Sequence, residues 1–170
     1  MMGREIRRVP KGWEHPKNGL GNYRPMYDED YETAITEWIK NHNLWMAGEH
    51  PDQKEYPEDT KDQYYADWAG DAPEIAYYRP KWTEEERNCF QVYETVSEGT
   101  PVTPVFETEE ALIEHLVRHG DDWSEGKGFS REAAEAFVKQ KWAPSMVVHR
   151  TGEKVSIKSG IESYEEEKDG

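Results

Sequence analysis

The sequence is short of the residues that mark secreted, membrane and aliphatic-rich proteins. Cys89 is its single cysteine, so no disulfide can form within the chain, and a reducing compartment is expected. The basic first sixteen residues lack the apolar stretch of a signal peptide. No run approaches the ~18 apolar residues of a membrane-spanning helix. We therefore expect a cytoplasmic protein that does not enter a membrane.

Aliphatic side chains are also scarce. Leu, Ile, Val and Phe total 25 of 170 residues and the net charge is −15, a balance typical of disordered chains. Seven Trp and ten Tyr act against disorder, because each can bury roughly 150–250 Å². We therefore expect a folded domain whose core is aromatic rather than aliphatic.

The charge is distributed unevenly along the chain. Residues 1–25 carry a net charge of +4 and residues 123–159 a net charge of +3, whereas residues 26–122 carry −18 and the last eleven residues −4. The acidic body could pair with the two basic segments, repel nucleic acid, or imitate nucleic acid toward a basic partner.

Apolar periodicity and turn residues predict an α+β fold, mostly helical, with about five helices and a small antiparallel sheet that includes a C-terminal hairpin. The domain prediction is an extended basic arm (residues 1–25), one globular domain (26–160) and an acidic disordered tail (161–170). Predicted helices cover residues 29–46, 61–68, 84–96, 109–119 and 131–140; residues 48–59 are predicted as a loop, 100–106 as an edge strand, and 146–149 with 155–157 as the hairpin.

The tripeptide Tyr-Arg-Pro occurs twice, as YRPMYDED and, 55 positions later, as YRPKWTEEE. The residues that follow the two copies do not match, which excludes a duplicated domain. Asp28 and Thr83 are preferred N-cap residues with acids after them, so we interpret each copy as the entry to a helix. The alternative is a paired site, in which Arg24 and Arg79 lie beside aromatic rings and bind an anion.

Histidines give the sequence its only metal-like patterns. His115 and His119 are four residues apart on a predicted helix, a spacing that lets two imidazoles share a divalent metal, with a third ligand from Glu114, Asp121 or Asp122. The same histidines would also interact favourably with the helix dipole.

Glu-His-Pro occurs twice, around His15 and His50, and would form a metal or acid–base site if the fold joined the copies. His-Pro is also an ordinary turn sequence. Cys89 lies on the inner face of a predicted helix, where a buried thiol is the usual role. No serine has a triad context and no glycine run forms a phosphate-binding loop. The patterns thus nominate no catalytic residue and no cofactor.

Acidic residues outside predicted helix starts are the most informative feature. Eight of them cluster around the predicted loop and short helix that follow the first long helix, and a solvated, solubilising face is the alternative to a binding surface. These predicted partner-binding residues are Asp52, Glu55, Glu58, Asp59, Asp62, Asp67, Asp71 and Glu74.

Four stretches, REIRRVP (residues 4–10), GWEHP (12–16), YETVSEGTPVTPVF (93–106) and WAPS (142–145), resemble a family of small acidic proteins encoded by bacteriophages and prophages. The resemblance spans most of the chain to about residue 148. It implies a phage-type cytoplasmic setting, in which small acidic proteins often inhibit host factors. It carries no catalytic residues.

The sequence therefore predicts a phage-encoded acidic protein that inhibits or modulates a basic host protein, such as a nucleic-acid-handling or defence enzyme, without binding nucleic acid itself. Two alternatives stay open: a metal-binding or hydrolytic enzyme that uses the His/Glu clusters, and a phage assembly factor.

Overall fold

The computed structural model describes residues 3–96 and 98–164, apart from the side chain of His149. The chain forms two compact units. Unit 1 comprises Met1–Pro25 and Trp82–Gly170, and unit 2 comprises Met26–Lys81. In chain order the elements are β1 (Gly3–Val9), β2 (Tyr27–Asp30), α1 (Tyr31–Met46), α2 (Pro51–Glu55), α3 (Pro57–Thr60), α4 (Tyr65–Ala69), β3 (Tyr78–Arg79), β4 (Cys89–Glu94), β5 (Thr100–Pro101), α5 (Glu109–His119), α6 (Arg131–Gln140), β6 (Trp142–Pro144), β7 (Met146–Thr151) and β8 (Lys154–Ser159). The α+β class is confirmed.

Unit 1 is built on a four-stranded antiparallel sheet in the order β5-β4-β1-β6. Ile6 of β1 lies opposite Val92 of β4, and both pack against the helices α5 and α6. The core on this side is mostly aliphatic, with Leu112 and Leu116 fully buried beside Phe137. The aromatic core expected from composition is therefore wrong for this face of the sheet.

The helices of unit 1 begin and end where their caps indicate. Thr108 Oγ1 accepts from Ala111 N at 3.1 Å, and Ser130 Oγ accepts from Ala133 N at 3.2 Å. Helix α5 ends at Gly120, whose φ is +61° and whose missing Cβ would lie 1.9 Å from the carbonyl oxygen of Lys127. Only glycine fits there, so the predicted helix end is confirmed.

The opposite face of the same sheet carries the second cluster of unit 1. Val9, Cys89 and Tyr93 are buried there, and Trp13 and Trp82 pack over them. Strand β4 is consequently covered on both faces. Such a strand has no alternation of apolar and polar residues, which is why residues 84–96 were wrongly predicted as a helix.

Both ends of the chain differ from the predicted arm and tail. The first strand, β1, is an internal strand of the sheet, so the extended arm is wrong for Gly3–Val9. Ile161 is buried, and Tyr164 Oη donates to the carbonyl oxygen of Trp142 at 2.7 Å, so the first residues of the expected tail pack on unit 1. The remainder of that tail, residues 165–170, lies outside the described residues. Strands β7 and β8 pair antiparallel along six residues each.

Unit 2 contains α1 to α4 and the two-stranded parallel sheet of β2 and β3. Its core is aromatic, as expected: Trp45 and Tyr65 are buried with ring centroids 5.7 Å apart, and Trp68 lies 6.0 Å from Trp45. The predicted loop at residues 48–59 instead contains α2 and α3, each of which starts with a proline.

Two predictions about unit 2 need adjustment. The globular domain expected over residues 26–160 is divided, because Met26–Lys81 forms a compact unit of its own. The helix predicted over residues 61–68 is observed as α4, which starts four residues later. In the described part of the chain, no helix is long and apolar enough to cross a membrane.

Candidate functional site

The predicted acidic residues all lie in unit 2, and we call residues 52–74 the acidic segment. Seven of its eight carboxylates are solvent-exposed: Glu55, Glu58, Asp59, Asp62, Asp67, Asp71 and Glu74. None of these seven has a lysine or arginine nitrogen within 4.0 Å among the described residues. The acidic segment thus presents carboxylates that no cation of the described chain neutralises.

Asp52 differs from the other seven acids. Its Oδ2 atom accepts from Trp68 Nε1 at 2.9 Å and lies 3.9 Å from His50 Nδ1. The carboxylate is partly buried and links α2 to α4. Asp52 therefore has a structural role in unit 2, and its prediction as a partner-binding residue is not supported by its position.

Indole groups hold the acidic segment against α1. Trp45 Nε1 donates to the carbonyl oxygen of Gln63 at 2.9 Å, and Gln53 Nε2 donates to the carbonyl oxygen of Trp45 at 3.1 Å. Trp38 Nε1 donates to the carbonyl oxygen of Gly70 at 3.2 Å. These bonds fix backbone on both sides of α4, so the carboxylates between them stand on a defined scaffold.

Large apolar side chains are exposed within and beside the acidic segment. Tyr64 is 77% exposed and Ile75 is 70% exposed, and Tyr56 and Tyr77 are also exposed. The helix predicted over residues 61–68 would include Tyr64, but α4 begins only at Tyr65 and Tyr64 precedes it. Exposed tyrosines among charged groups are typical of protein-binding surfaces.

The basic N-terminal residues are used inside unit 1. Buried Arg4 Nη1 lies 2.8 Å from Glu94 Oε2, and Lys11 Nζ lies 2.9 Å from Glu107 Oε1. Arg8 also pairs with an acid of unit 1. Unit 2 holds fourteen acidic and five basic side chains, a net charge of −9. Unit 2, the smaller unit, therefore carries more than half of the net negative charge of the protein.

The two Tyr-Arg-Pro copies are followed by different local structures. In unit 2 the N-cap of α1 is Asp30, which accepts from Thr33 N at 2.9 Å; this bond lowers the pKa of Asp30. Asp28, the predicted cap, instead pairs with Arg79 at 3.2 Å. Thr83, the other predicted cap, accepts from Glu86 N, and Glu86 accepts from Thr83 N, but only a single turn follows before β4.

The predicted metal pair lies on α5. The rings of His115 and His119 have centroids 4.8 Å apart, and His115 also packs against Phe106. Burial lowers the pKa of His115, and the neighbouring His119 lowers it further. Among the described residues, no group of three His, Cys, Asp or Glu side chains is arranged to hold a metal ion. Asp121, one of the proposed third ligands, is occupied elsewhere.

The two Glu-His-Pro histidines belong to different units and each is held by its own. In unit 1, His15 Nε2 donates to the carbonyl oxygen of Arg24 at 2.6 Å, because a carbonyl can only accept. His15 Nδ1 then accepts from Tyr93 Oη at 3.1 Å, and that oxygen accepts from Trp13 Nε1 at 3.2 Å. Both ring nitrogens are committed, and burial lowers the pKa of His15, which disfavours the charged ring.

In unit 2, His50 is the N-cap of α2. Its Nδ1 atom accepts from Asp52 N at 3.1 Å, while Gln53 Oε1 accepts from His50 N at 3.1 Å. The second Glu-His-Pro copy is therefore the start of a helix, with proline at its first position.

A buried polar network lies at one end of the sheet of unit 1. Arg4 Nε is 3.8 Å from Asp121 Oδ2, which also accepts from Ser159 Oγ at 2.8 Å, and Ser145 Oγ donates to Glu94. Burial raises the pKa of Asp121 despite these partners. The network joins β1, β4, the residue before β7, the last residue of β8 and the turn after α5, which identifies it as structural.

Unit 1 also has a cleft of about 1070 Å³ that the sequence did not indicate. One wall is formed by residues 13–17 and Tyr23, the other by residues 101–105. Gln91 of β4 lines it, is 6% exposed, and donates Nε2 to the carbonyl oxygen of Thr103 at 2.8 Å. Within the described residues, the Gln91 Oε1 atom has no hydrogen-bond partner. No local sequence pattern connects the two walls.

Cys89 is buried, as predicted, although on a strand rather than a helix. Burial raises the pKa of its thiol, and nearby Glu107 raises it further. A buried, protonated thiol is a poor nucleophile, so the described geometry assigns Cys89 to packing.

Comparison of the chain with models of known protein families, with curated proteins and with solved structures gives no significant match.

Proposed function

We propose that this protein is a cytoplasmic binding protein that inhibits or modulates a host protein by covering a basic surface with its acidic segment. The phage-type setting rests on the resemblance of the four sequence stretches given above. The observation that carries the binding role is the set of seven exposed carboxylates of the acidic segment, none of which forms an ion pair among the described residues.

The distribution of charge between the two units favours a binding role for the acidic segment over a role in solubility alone. Large fields of a single sign are unusual on a surface that serves solubility alone, where acids and bases are commonly interspersed. Here the basic residues of β1 pair within unit 1, whereas unit 2 carries −9 in 56 residues. This concentration of one sign would steer a basic partner toward unit 2 and repel nucleic acid.

Exposed tyrosines supply what charge alone does not. Exposed ion pairs contribute only about 0.2–1 kcal/mol each, so a stable complex needs buried apolar contacts as well. Tyr64 and Ile75 are exposed at the acidic segment and would provide such contacts. The partner surface that fits is basic with an apolar centre.

Capture from a bacterial host lysate tests this proposal. The bait is the intact protein, and bound proteins are eluted with rising salt and identified by mass spectrometry. The test variant combines Glu55→Gln, Asp62→Asn, Asp71→Asn and Glu74→Gln, which are exposed and lie outside the first turns of α2, α3 and α4. Asn suits position 62 because φ there is +60°.

The matched control removes four exposed charges of unit 1, with Glu85, Glu114, Glu125 and Glu153 all changed to Gln. The expected result is a stoichiometric partner that binds wild type and control, is lost with the test variant, and elutes at moderate salt, since screening shortens the Debye length to about 3 Å at 1 M. A DNA- or RNA-handling partner displaced by duplex DNA would identify nucleic-acid mimicry. Equal capture by the test and control variants would contradict the role of the acidic segment.

A further inference from the structure

The cleft of unit 1 has two facing walls of flat, apolar groups. Trp13 and Tyr23 contribute aromatic rings on one side, and Pro101 and Pro104 contribute proline rings on the other. Its volume of about 1070 Å³ is at the upper end of the range for small-molecule sites. Walls of this kind favour a ligand with a planar group that can stack between them.

The polar groups of the cleft are mainly acceptors. The carboxylates of Glu14 and Asp122 are exposed and lack a lysine or arginine partner among the described residues. Gln91 adds a carbonyl oxygen that has no hydrogen-bond partner there, although neighbouring atoms cover it, so a ligand donor reaches it only after the side chain turns. An unsatisfied buried acceptor is unfavourable, and a ligand donor that reached it would remove that cost.

His15 adds a ring to the cleft but no charge. Its two nitrogens are bonded to Tyr93 and to the Arg24 carbonyl, and burial lowers its pKa, which disfavours the charged form. Acceptors therefore surround the space while one cation, Lys17, lines it. The cleft electrostatically disfavours anions.

Lys17 shows how a cation binds to this wall. Its Nζ atom lies 5.1 Å from the centroid of the Tyr23 ring, within the range of a cation–π interaction. The lysine is exposed and occupies a ring face that a ligand could otherwise use. A bound cation would therefore compete with Lys17.

We infer that this cleft binds a planar nitrogen cation, a guanidinium or amidinium group, between its aromatic and proline walls. The N–H groups of the ligand donate to Glu14 and Asp122, and its plane stacks on the ring of Trp13 or Tyr23. The shape of such a cation, flat with several donors at its edge, matches walls that stack and a rim that accepts. The inference is independent of the acidic segment, which lies in unit 2.

Four probes that share a benzene ring test the inference: benzamidine, benzylamine, benzamide and benzoate. Binding is followed by ¹H–¹⁵N NMR through the Trp13 indole N–H and the Gln91 side-chain amide. The expected result is saturable shifts at both groups with benzamidine, weaker binding of benzylamine and benzamide, and none of benzoate. Equal or tighter binding of benzylamine or benzamide would overturn the inference, as would the absence of saturable shifts.

Two variants are expected to change the affinity for benzamidine in opposite directions. Combining Glu14→Gln with Asp122→Asn weakens benzamidine binding by about twofold to thirtyfold, on the scale of two exposed charge pairs. Lys17→Met tightens binding, because it removes the competing cation. Glu114→Gln, which removes an exposed acid outside the cleft, leaves affinity unchanged. The inference fails if Lys17→Met weakens binding or if Glu14→Gln/Asp122→Asn leaves it unchanged in a protein whose other resonances are unmoved.

Discussion

Replacing Arg4 with methionine is expected to destabilise unit 1 strongly. The Arg4 side chain is 3% exposed, lies 2.8 Å from Glu94 and 3.8 Å from Asp121, and is the one cation of the buried network described above. Methionine keeps much of the volume but leaves two carboxylates without a counter-charge. Breaking a buried pair in this way costs about 3–5 kcal/mol, a factor of roughly 10²–10⁴ in the opening equilibrium.

The loss of stability caused by Arg4→Met should depend on pH. Burial already raises the pKa of Asp121, and Arg4 opposes that rise, so its removal raises the folded-state pKa further. A carboxyl with a raised folded pKa contributes stability below its unfolded pKa and loses it as pH rises through the folded pKa. The destabilisation by Arg4→Met should therefore be larger at pH 7.5 than at pH 5.

Amide hydrogen exchange is the appropriate assay because it reports on each unit separately. Amides of β4 and α5 report on unit 1, and amides of α1 report on unit 2 within the same sample. Arg131→Met is the matched control: its guanidinium forms ion pairs with Glu110 and Glu135, but it is 51% exposed. This control should have a much smaller effect, since exposed pairs are solvated and screened.

Two results would refute the reasoning. One is a loss of unit 1 stability with Arg4→Met that is no larger than the loss with Arg131→Met at pH 7.5. The other is a loss that grows as the pH falls. Adding Glu94→Gln and Asp121→Asn to Arg4→Met should restore much of the stability, because the buried charges are then absent, whereas a purely steric role for Arg4 predicts no recovery.

Two further predictions concern the aromatic core and the neutral histidine. Trp45→Ala removes the buried indole of unit 2 and should lower the free energy of unfolding of that unit by about 3–5 kcal/mol, with faster exchange of the α1 amides. Leu44 is only partly buried, so Leu44→Ala should cost less. A larger loss with Leu44→Ala than with Trp45→Ala would contradict the assigned core. Burial lowers the folded-state pKa of His15, so its neutral form contributes stability that is present above pH 6.5 and is lost as the pH falls toward the folded value. Exchange of the β4 amides should accelerate between pH 7.5 and 5.5 after correction for intrinsic rates, less so in His15→Asn, and equal pH dependence in the variant would count against this account.

Local signals in the sequence predicted the elements whose stability is local. Helix α5 was predicted at its observed bounds because Thr108 caps it and Gly120 ends it. The start of α6 was predicted from Ser130 in the same way. A cap and the first turn that it serves lie within four residues, so a short window of sequence holds all of the information.

Elements that depend on distant partners were misassigned. Strand β4 contains Phe90 and Tyr93 at helical spacing and follows a formed capping box, yet it pairs with β1, which lies about eighty residues earlier. Four of the seven residues of strand β1 are charged, and its arginines were interpreted as part of an extended basic arm. Only the pairing buries Arg4 and gives it Glu94 as a partner.

The candidate sites show the same difference between features set by local sequence and features set by distant contacts. The acidic residues of the segment from Glu55 to Glu74 were predicted as exposed, and the structure has them exposed, because short polar stretches with few apolar neighbours cannot be buried at low cost. Whether they bind a partner stays a prediction. The cleft could not be predicted, since its walls come from residues 13–23 and 101–105, which no local pattern connects.

By itself, the sequence determined the α+β class, the strongly negative charge, the capped helices and the exposure of the acidic segment. These follow from composition and from interactions within a few residues. The tertiary structure alone decided that the charge is concentrated in unit 2, that the basic residues of β1 are neutralised inside unit 1, and that the charged form of His15 is disfavoured. Each of these depends on which distant residues meet, because burial and counter-charges are set by the packing of elements that are far apart in the chain.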